Sequence, residues 1–151
     1  MFVDSHSHIE MPDFDSDRQE VLQRAVAAGV HSIVVIGNGD YIGDSHDKAA
    51  AIADSHSSIF TTVGLHPHEA RFWNANTRAH ILELSQYPRV IGWGEIGLDY
   101  HYDNSPREIQ QLAFREQLRL AADRKIPVII HTREAESDTL SILREEWADN
   151  D

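Results

Sequence analysis

Apolar residues recur along this chain in two alternating patterns. Short runs of β-branched and aliphatic residues give way to longer stretches with an apolar residue every three or four positions. The runs predict strands at Met1–Val3, His31–Gly37, Ile59–Leu65, Val90–Glu95 and Pro127–His131. The longer stretches predict helices at Ser16–Ala28, Asp44–Ser55, Thr77–Gln86, Pro106–Lys125 and Ser137–Trp147. Local punctuation supports two of them. Ser16 with Gln19 reads as a capping box before the stripe Val21, Leu22, Ala25 and Val26, and Gly29 suits the stop. Ser105 can cap the fourth helix, with Pro106 at its first position and Glu108 completing a second box. The tail from Ala148 to Asp151 is polar and is expected to fray.

Strand followed by helix, repeated through the chain, specifies an α/β protein with a parallel sheet and crossover helices. No linker, low-complexity tract or internal repeat divides residues 1–151, so they read as a single domain. Two architectures fit: an open doubly wound sheet, or part of a (β/α)8 TIM barrel. A nucleotide-binding open sheet needs a glycine-rich turn after its first strand. This chain has His6-Ser7-His8-Ile9-Glu10-Met11-Pro12 there. It also lacks a P-loop and a G-x-S-x-G serine motif.

Composition narrows the chemistry. The 151 residues contain no cysteine, which excludes disulfides, thiolate metal sites and cysteine nucleophiles. Lys+Arg number 13 against 25 Asp+Glu, a formal charge of -12 that repels polyphosphates at long range. A nucleic-acid substrate would therefore need local metals or arginines. No apolar run is long enough for a membrane span and no leader opens the chain, so a cytoplasmic protein without membrane contact is expected. Ten histidines are many for this length and direct attention to metal or acid–base work.

In a parallel α/β fold the functional side chains gather at the carboxyl ends of the strands. The first strand ends at His6 and His8, whose attachment points would be about 6.5 Å apart on one side of an extended chain. They suit one metal ion, or ordinary strand-end hydrogen bonding. The second ends in Gly37-Asn38-Gly39-Asp40 and shows no ligand cluster. The third ends in Gly64-Leu65-His66-Pro67-His68; those two histidines could be ligands, loop structure or, as favoured, substrate contacts. Glu95 lies between glycines after an apolar strand, where a carboxylate is costly unless paired or metal-bound. His131 ends the fifth strand. Asp99 reads as a substrate contact, an orienting acceptor or a turn residue, and Arg133 as a phosphate contact or a partner for an acid. Asp4 is expected to be structural, a carboxylate behind the histidines that could orient them without touching metal. His31, His46, His56, His80 and His101 have no convergent company. Histidine and carboxylate without thiolate fit zinc, manganese, magnesium or a mixture. A carboxylate can bridge two such ions, which could share a hydroxide that attacks phosphorus or a carbonyl carbon.

Four segments together carry a resemblance: Asp4-Ser5-His6-Ser7-His8, Gly64-Leu65-His66-Pro67-His68, Gly94-Glu95-Ile96-Gly97-Leu98-Asp99-Tyr100 and Ile130-His131-Thr132-Arg133-Glu134. In this combination and order the chain resembles the TatD-related metal-dependent deoxyribonucleases of the amidohydrolase superfamily. The opening Ser105-Pro106-Arg107-Glu108 and the run from Phe114 to Ala121 match as well. The resemblance implies a (β/α)8 barrel, of which this chain holds the first five βα units. It implies that His6 and His8 bind one metal, that Glu95 is the catalytic bridge between two, and that His131 binds the second. His66, His68, Asp99 and Arg133 would lie near the substrate, which would be DNA, hydrolysed exonucleolytically. It also implies a histidine on a sixth strand and an aspartate on an eighth, which these residues do not include. The isolated chain is therefore expected to leave barrel edges uncovered, to self-associate, and to turn over slowly. Two other readings remain: an amidohydrolase acting on carbon–nitrogen or carboxyl-ester bonds, and a non-catalytic metal-binding or interaction fragment.

Overall fold

Five parallel strands pair in the order β1-β2-β3-β4-β5, with every neighbour in sequence a neighbour in space. They are β1 (Phe2–Ser7), β2 (Val30–Val35), β3 (Ile59–Val63), β4 (Val90–Asp99) and β5 (Val128–Arg133). The helices between and after them are α1 (Arg18–Ala27), α2 (Ser45–Ser55), α3 (Ala75–Leu84), α4 (Arg107–Arg124) and α5 (Glu136–Glu146). The computed structural model describes residues 1–37 and 45–148. The expectations for Asn38 to Asp40, for a helix start at Asp44 and for the tail from Asp149 to Asp151 lie outside the described residues.

The strand order decides between the two architectures. A doubly wound sheet reverses direction at a switch point; this one never does. Crossovers of one hand then place every helix on one face, and the sheet curls around the other as the first five βα units of a barrel. The core lies between sheet and helices. Trp93, Ile96, Leu98, Phe114, Leu118, Ile81 and Ile142 fill it under β3 to β5, and Ile9, Leu22, Ile33, Val35 and Ile59 under β1 to β3. Each such side chain contributes about 1.5–3 kcal/mol by leaving water. No helix among the described residues is long and apolar enough to cross a membrane.

Several local expectations are corrected. β1 is neither short nor buried: it runs to Ser7, and Phe2 and Val3 are 67% and 62% exposed, because the strand has a partner on one edge only. The Ser16–Gln19 capping box does not form. α1 starts at Arg18, whose guanidinium instead meets the carbonyls of Ile9 (2.7 Å) and Met11 (3.1 Å) and the Asp15 carboxylate (2.6 Å). α3 starts before Thr77, because the Asn74 side chain accepts from the amides of Asn76 (2.9 Å) and Thr77 (3.2 Å). α4 follows Pro106 with no side-chain cap, and Ser105 bonds elsewhere. β4 continues past Glu95 to Asp99, carrying both acids on one strand.

Candidate metal centre

β1 carries His6 near its end and releases His8 just past Ser7, and the two rings meet there. Their ring centres are 5.1 Å apart and the planes cross at 74°. Asp4 braces β1 where its pairing register shifts between Asp4 and Ser7, its Oδ1 accepting the His6 amide at 3.2 Å. The Glu10 carboxylate is buried, with Oε1 3.3 Å from His8 Nδ1 and Oε2 without a partner. That contact leaves the other ring nitrogen of His8 free to face a ligand.

Glu95 stands in the middle. Its Oε2 is 3.6 Å from His6 Nε2 and its Oε1 is 3.0 Å from His131 Nδ1. Burial pushes the Glu95 carboxyl up, but the His131 hydrogen bond and the charges of His66, His131 and His6 outweigh it and leave its pKa at about 2. Glycines make this close approach possible. At Gly94 (φ +155°) and Gly97 (φ +145°) an added Cβ would strike β5, at Ile129 and at the His131 carbonyl respectively.

His66, expected as a substrate contact, is placed inside the cluster. Its Nε2 is 3.2 Å from His131 Nδ1, and His66, Glu95 and His131 bring their ligand atoms within 4.8 Å of one another, as do His6, His8 and Glu95. Burial, and then the charges of His131 and His68, hold the His66 pKa down at about 3, so the ring is neutral with a lone pair to offer. His131 is moved the other way: burial lowers it, but its bonds to Glu95 and Asp99 prevail.

Of the three readings open for Asp99, its contacts are those of an orienting acceptor and a turn residue. It is fully buried and every oxygen is engaged. Oδ2 meets His68 Nε2 at 2.9 Å and His131 Nε2 at 3.0 Å, while Oδ1 accepts the amides of His101 (3.1 Å) and Tyr102 (2.9 Å). Burial raises its pKa, but these donors hold the carboxyl well below the usual carboxylate range. One carboxylate thus sets two imidazoles and the turn after β4.

Behind it stand residues that the sequence reading missed. Gln110 and Gln117 of α4 are buried although polar. Gln110 Oε1 accepts the Asp99 amide (2.8 Å) and its Nε2 donates to the Asp99 and Ser105 carbonyls (3.0 and 2.8 Å). Gln117 does the same for Leu65, just before His66, at 2.7 and 3.1 Å. The two lie two helical turns apart on one face, so one helix fixes the ends of two strands. The signal was present: both share the face of α4 that buries Ala113, Phe114, Leu118 and Ala121. Ser105 donates to the His68 carbonyl (2.7 Å) and accepts the Arg71 amide (3.0 Å), tying down the 3-10 segment Pro67–Phe72. Arg133 is on the exposed rim, its guanidinium 4.7 Å from the Tyr102 ring centre.

The arrangement suits a cation. Imidazole nitrogens and carboxylate oxygens face one another and need a positive species among them, a proton or a metal ion. The donors are nitrogen and oxygen without sulfur, as zinc, manganese or magnesium accept, and Glu95 is ionised with one oxygen turned to each group.

The family model described as TatD related DNase matches residues 3–150. YabD of Bacillus subtilis (strain 168), described as an uncharacterized metal-dependent hydrolase, is 38% identical over 149 residues, which is 99% of this chain and 57% of that protein. The 3'-5' ssDNA/RNA exonuclease TatD of Escherichia coli (strain K12) is 38% identical over 136 residues, 90% of this chain and 51% of that protein. The crystal structure of YJJV, a TatD homolog from Escherichia coli K12, superposes with a TM-score of 0.84 at 31% identity, covering 96% of this chain and 56% of that one. The chain spans about half the length of the curated relatives it matches. A family match over nearly every residue, joined to a superposition that covers 96% of the chain, shows that the chain belongs to the TatD-related DNase family.

Proposed function

We propose that this chain carries a two-cation site for hydrolysing phosphodiester bonds of nucleic acid, with DNA as the substrate and exonucleolytic cleavage as the mode. The observation that carries the reading is Glu95, whose two oxygens are turned toward two separate histidine groups. His6 and His8 with Oε2 would hold one ion; His131, joined by His66, with Oε1 would hold the other. Divalent zinc, manganese or magnesium in these places would polarise a phosphoryl oxygen and offset the negative charge that builds on it.

The remaining residues have work that follows from their positions. Asp99 keeps the rings of His68 and His131 in place. His68, its side chain 27% exposed, reaches toward the mouth, where its ring can contact the substrate. Arg133 offers a fixed positive charge on the rim, which a surface of net charge -12 requires for a polyanion to approach. Two supports come from relatives: the exonuclease name of the Escherichia coli protein and the metal dependence named for the Bacillus one. The test is cleavage of a labelled single-stranded oligonucleotide with Mn²⁺ or Zn²⁺ added. Slow turnover is expected, lost on chelation and lost in His6→Ala. Cleavage that survives both treatments would overturn the metal assignment, and hydrolysis of amides or carboxyl esters without any of phosphodiesters would overturn the substrate.

The exposed free edge of β1, with Met1, Phe2 and Val3 in water, belongs to the same reading as a self-association surface. Sedimentation velocity is expected to show a mass that rises with concentration. A single monomer boundary throughout the micromolar range would contradict it.

A further inference from the structure

Tyr102 is 54% exposed at the mouth of the site, yet it is held firmly. Its amide and that of His101 are bonded to the buried Asp99 carboxylate. On the far side of the turn, Arg107 grips Asp103 at 2.7 Å and the Tyr100 carbonyl at 3.1 Å. The Tyr102 ring meets the rings of His68 and His101 edge to face, with centres 5.4 and 4.7 Å away. An exposed aromatic ring alone is ordinary. One fixed to the residues that orient His68 and His131, and standing beside them, is placed to touch whatever enters.

Arg133 supplies an independent observation. Among the described residues its guanidinium makes no hydrogen bond and no ion pair; its one contact is the Tyr102 ring at 4.7 Å. The chain has 25 acidic residues, and the adjoining Glu134 is turned instead to His101, at 2.7 Å. Arg71, Arg107, Arg115 and Arg119 all meet carboxylates. A guanidinium held against a ring with its donors open has a fork ready for an anion, and phosphate matches that fork.

We infer that Tyr102 and Arg133 form a nucleotide-holding step at the mouth, Arg133 taking a backbone phosphate and the Tyr102 ring an unpaired base. The inference rests on the phosphodiester reading and adds the two residues that would hold the strand; the single-stranded substrate in the name of the Escherichia coli relative agrees with it. A base inside a duplex is stacked on both faces and has none to give to Tyr102, so the step selects single strands. Stacking on a ring is open to every base, so it selects little by sequence.

The test compares two labelled phosphorothioate strands of equal length and charge, an oligothymidylate and a base-free deoxyribose-phosphate strand, binding to the intact chain with Mn²⁺ by fluorescence anisotropy. The unaltered chain is expected to prefer the base-bearing strand. Tyr102→Leu is expected to lower affinity for it by about fivefold or more while leaving the base-free strand unchanged. Arg133→Ala is expected to weaken both strands alike. Tyr102→Trp, which enlarges the ring, is expected to raise the preference for bases; a preference that does not move in this variant overturns the step even if Tyr102→Leu fails to fold. Equal binding of both strands by the unaltered chain would sink the step and leave the phosphodiester reading standing, whereas binding of neither would remove both.

Discussion

Glu95→Ala is expected to lower the affinity for Zn²⁺ or Mn²⁺ by about 100-fold or more, beyond the 10–100-fold typical of residues that only orient a ligand. The reason is position and charge together. Oε2 is 3.6 Å from His6 Nε2 and Oε1 is 3.0 Å from His131 Nδ1, so one side chain serves both groups. Its pKa of about 2 means that it brings a full negative charge at neutral pH. Without it only imidazole nitrogens of His6, His8, His66 and His131 face the site, and the remaining carboxylates, Glu10 and Asp99, lie behind the rings of His8 and His131. Competition with a chromophoric chelator reads the affinity and the number of ions bound. Glu95→Gln keeps the size and removes the charge, and it is expected to follow the alanine variant. Unchanged affinity in both would sink the bridging role.

Asp99→Ala is expected to cost about 3–5 kcal/mol of stability, the range for removing one partner of a buried charged network. Its two oxygens serve His68, His131, His101 and Tyr102, and no water can replace a carboxylate at 0% exposure without a cavity opening. Metal affinity should fall as well, by about 10–100-fold, since the His131 ring loses the contact that turns its Nδ1 to Glu95. Asp99→Asn separates the two effects. Its amide oxygen can still accept the backbone amides of the turn, so much of the stability should return. Its NH₂ group can no longer accept from both rings, so metal affinity should stay low. Urea denaturation and chelator competition measure the two independently. An asparagine variant with ordinary metal affinity would leave Asp99 a purely structural residue.

Much of this was readable in one dimension. The alternation of apolar runs and amphipathic stretches determined the order of elements and the parallel sheet, because each pattern can bury its apolar face in only one kind of secondary structure. Chemistry-bearing residues at strand ends, His6, His8, Glu95 and His131 among them, were visible because the fold class says where such ends collect. Helix starts were less legible. Ser16 and Ser105 had the right neighbours for caps, yet Asp17 and Pro106 hold those positions, because tertiary partners claim the surrounding side chains: Arg18 goes to the carbonyls of Ile9 and Met11, and Ser105 to His68 and Arg71.

By itself the sequence determined the α/β class, the order of the elements and the kinds of ligand atom present. Those depend on residue types and on periods set by local backbone geometry. Only the tertiary structure decided that Glu95 faces two ways, that His66 enters the cluster, and that Asp99 is sealed beneath it. These are distances between strands remote in sequence, set by register and by two glycines that let β5 come close to β4. The buried glutamines of α4 show the same division. Their polarity was plain in the sequence, but the backbone groups they satisfy, at Asp99 and Leu65, become neighbours of that helix only when the sheet has curled beneath it.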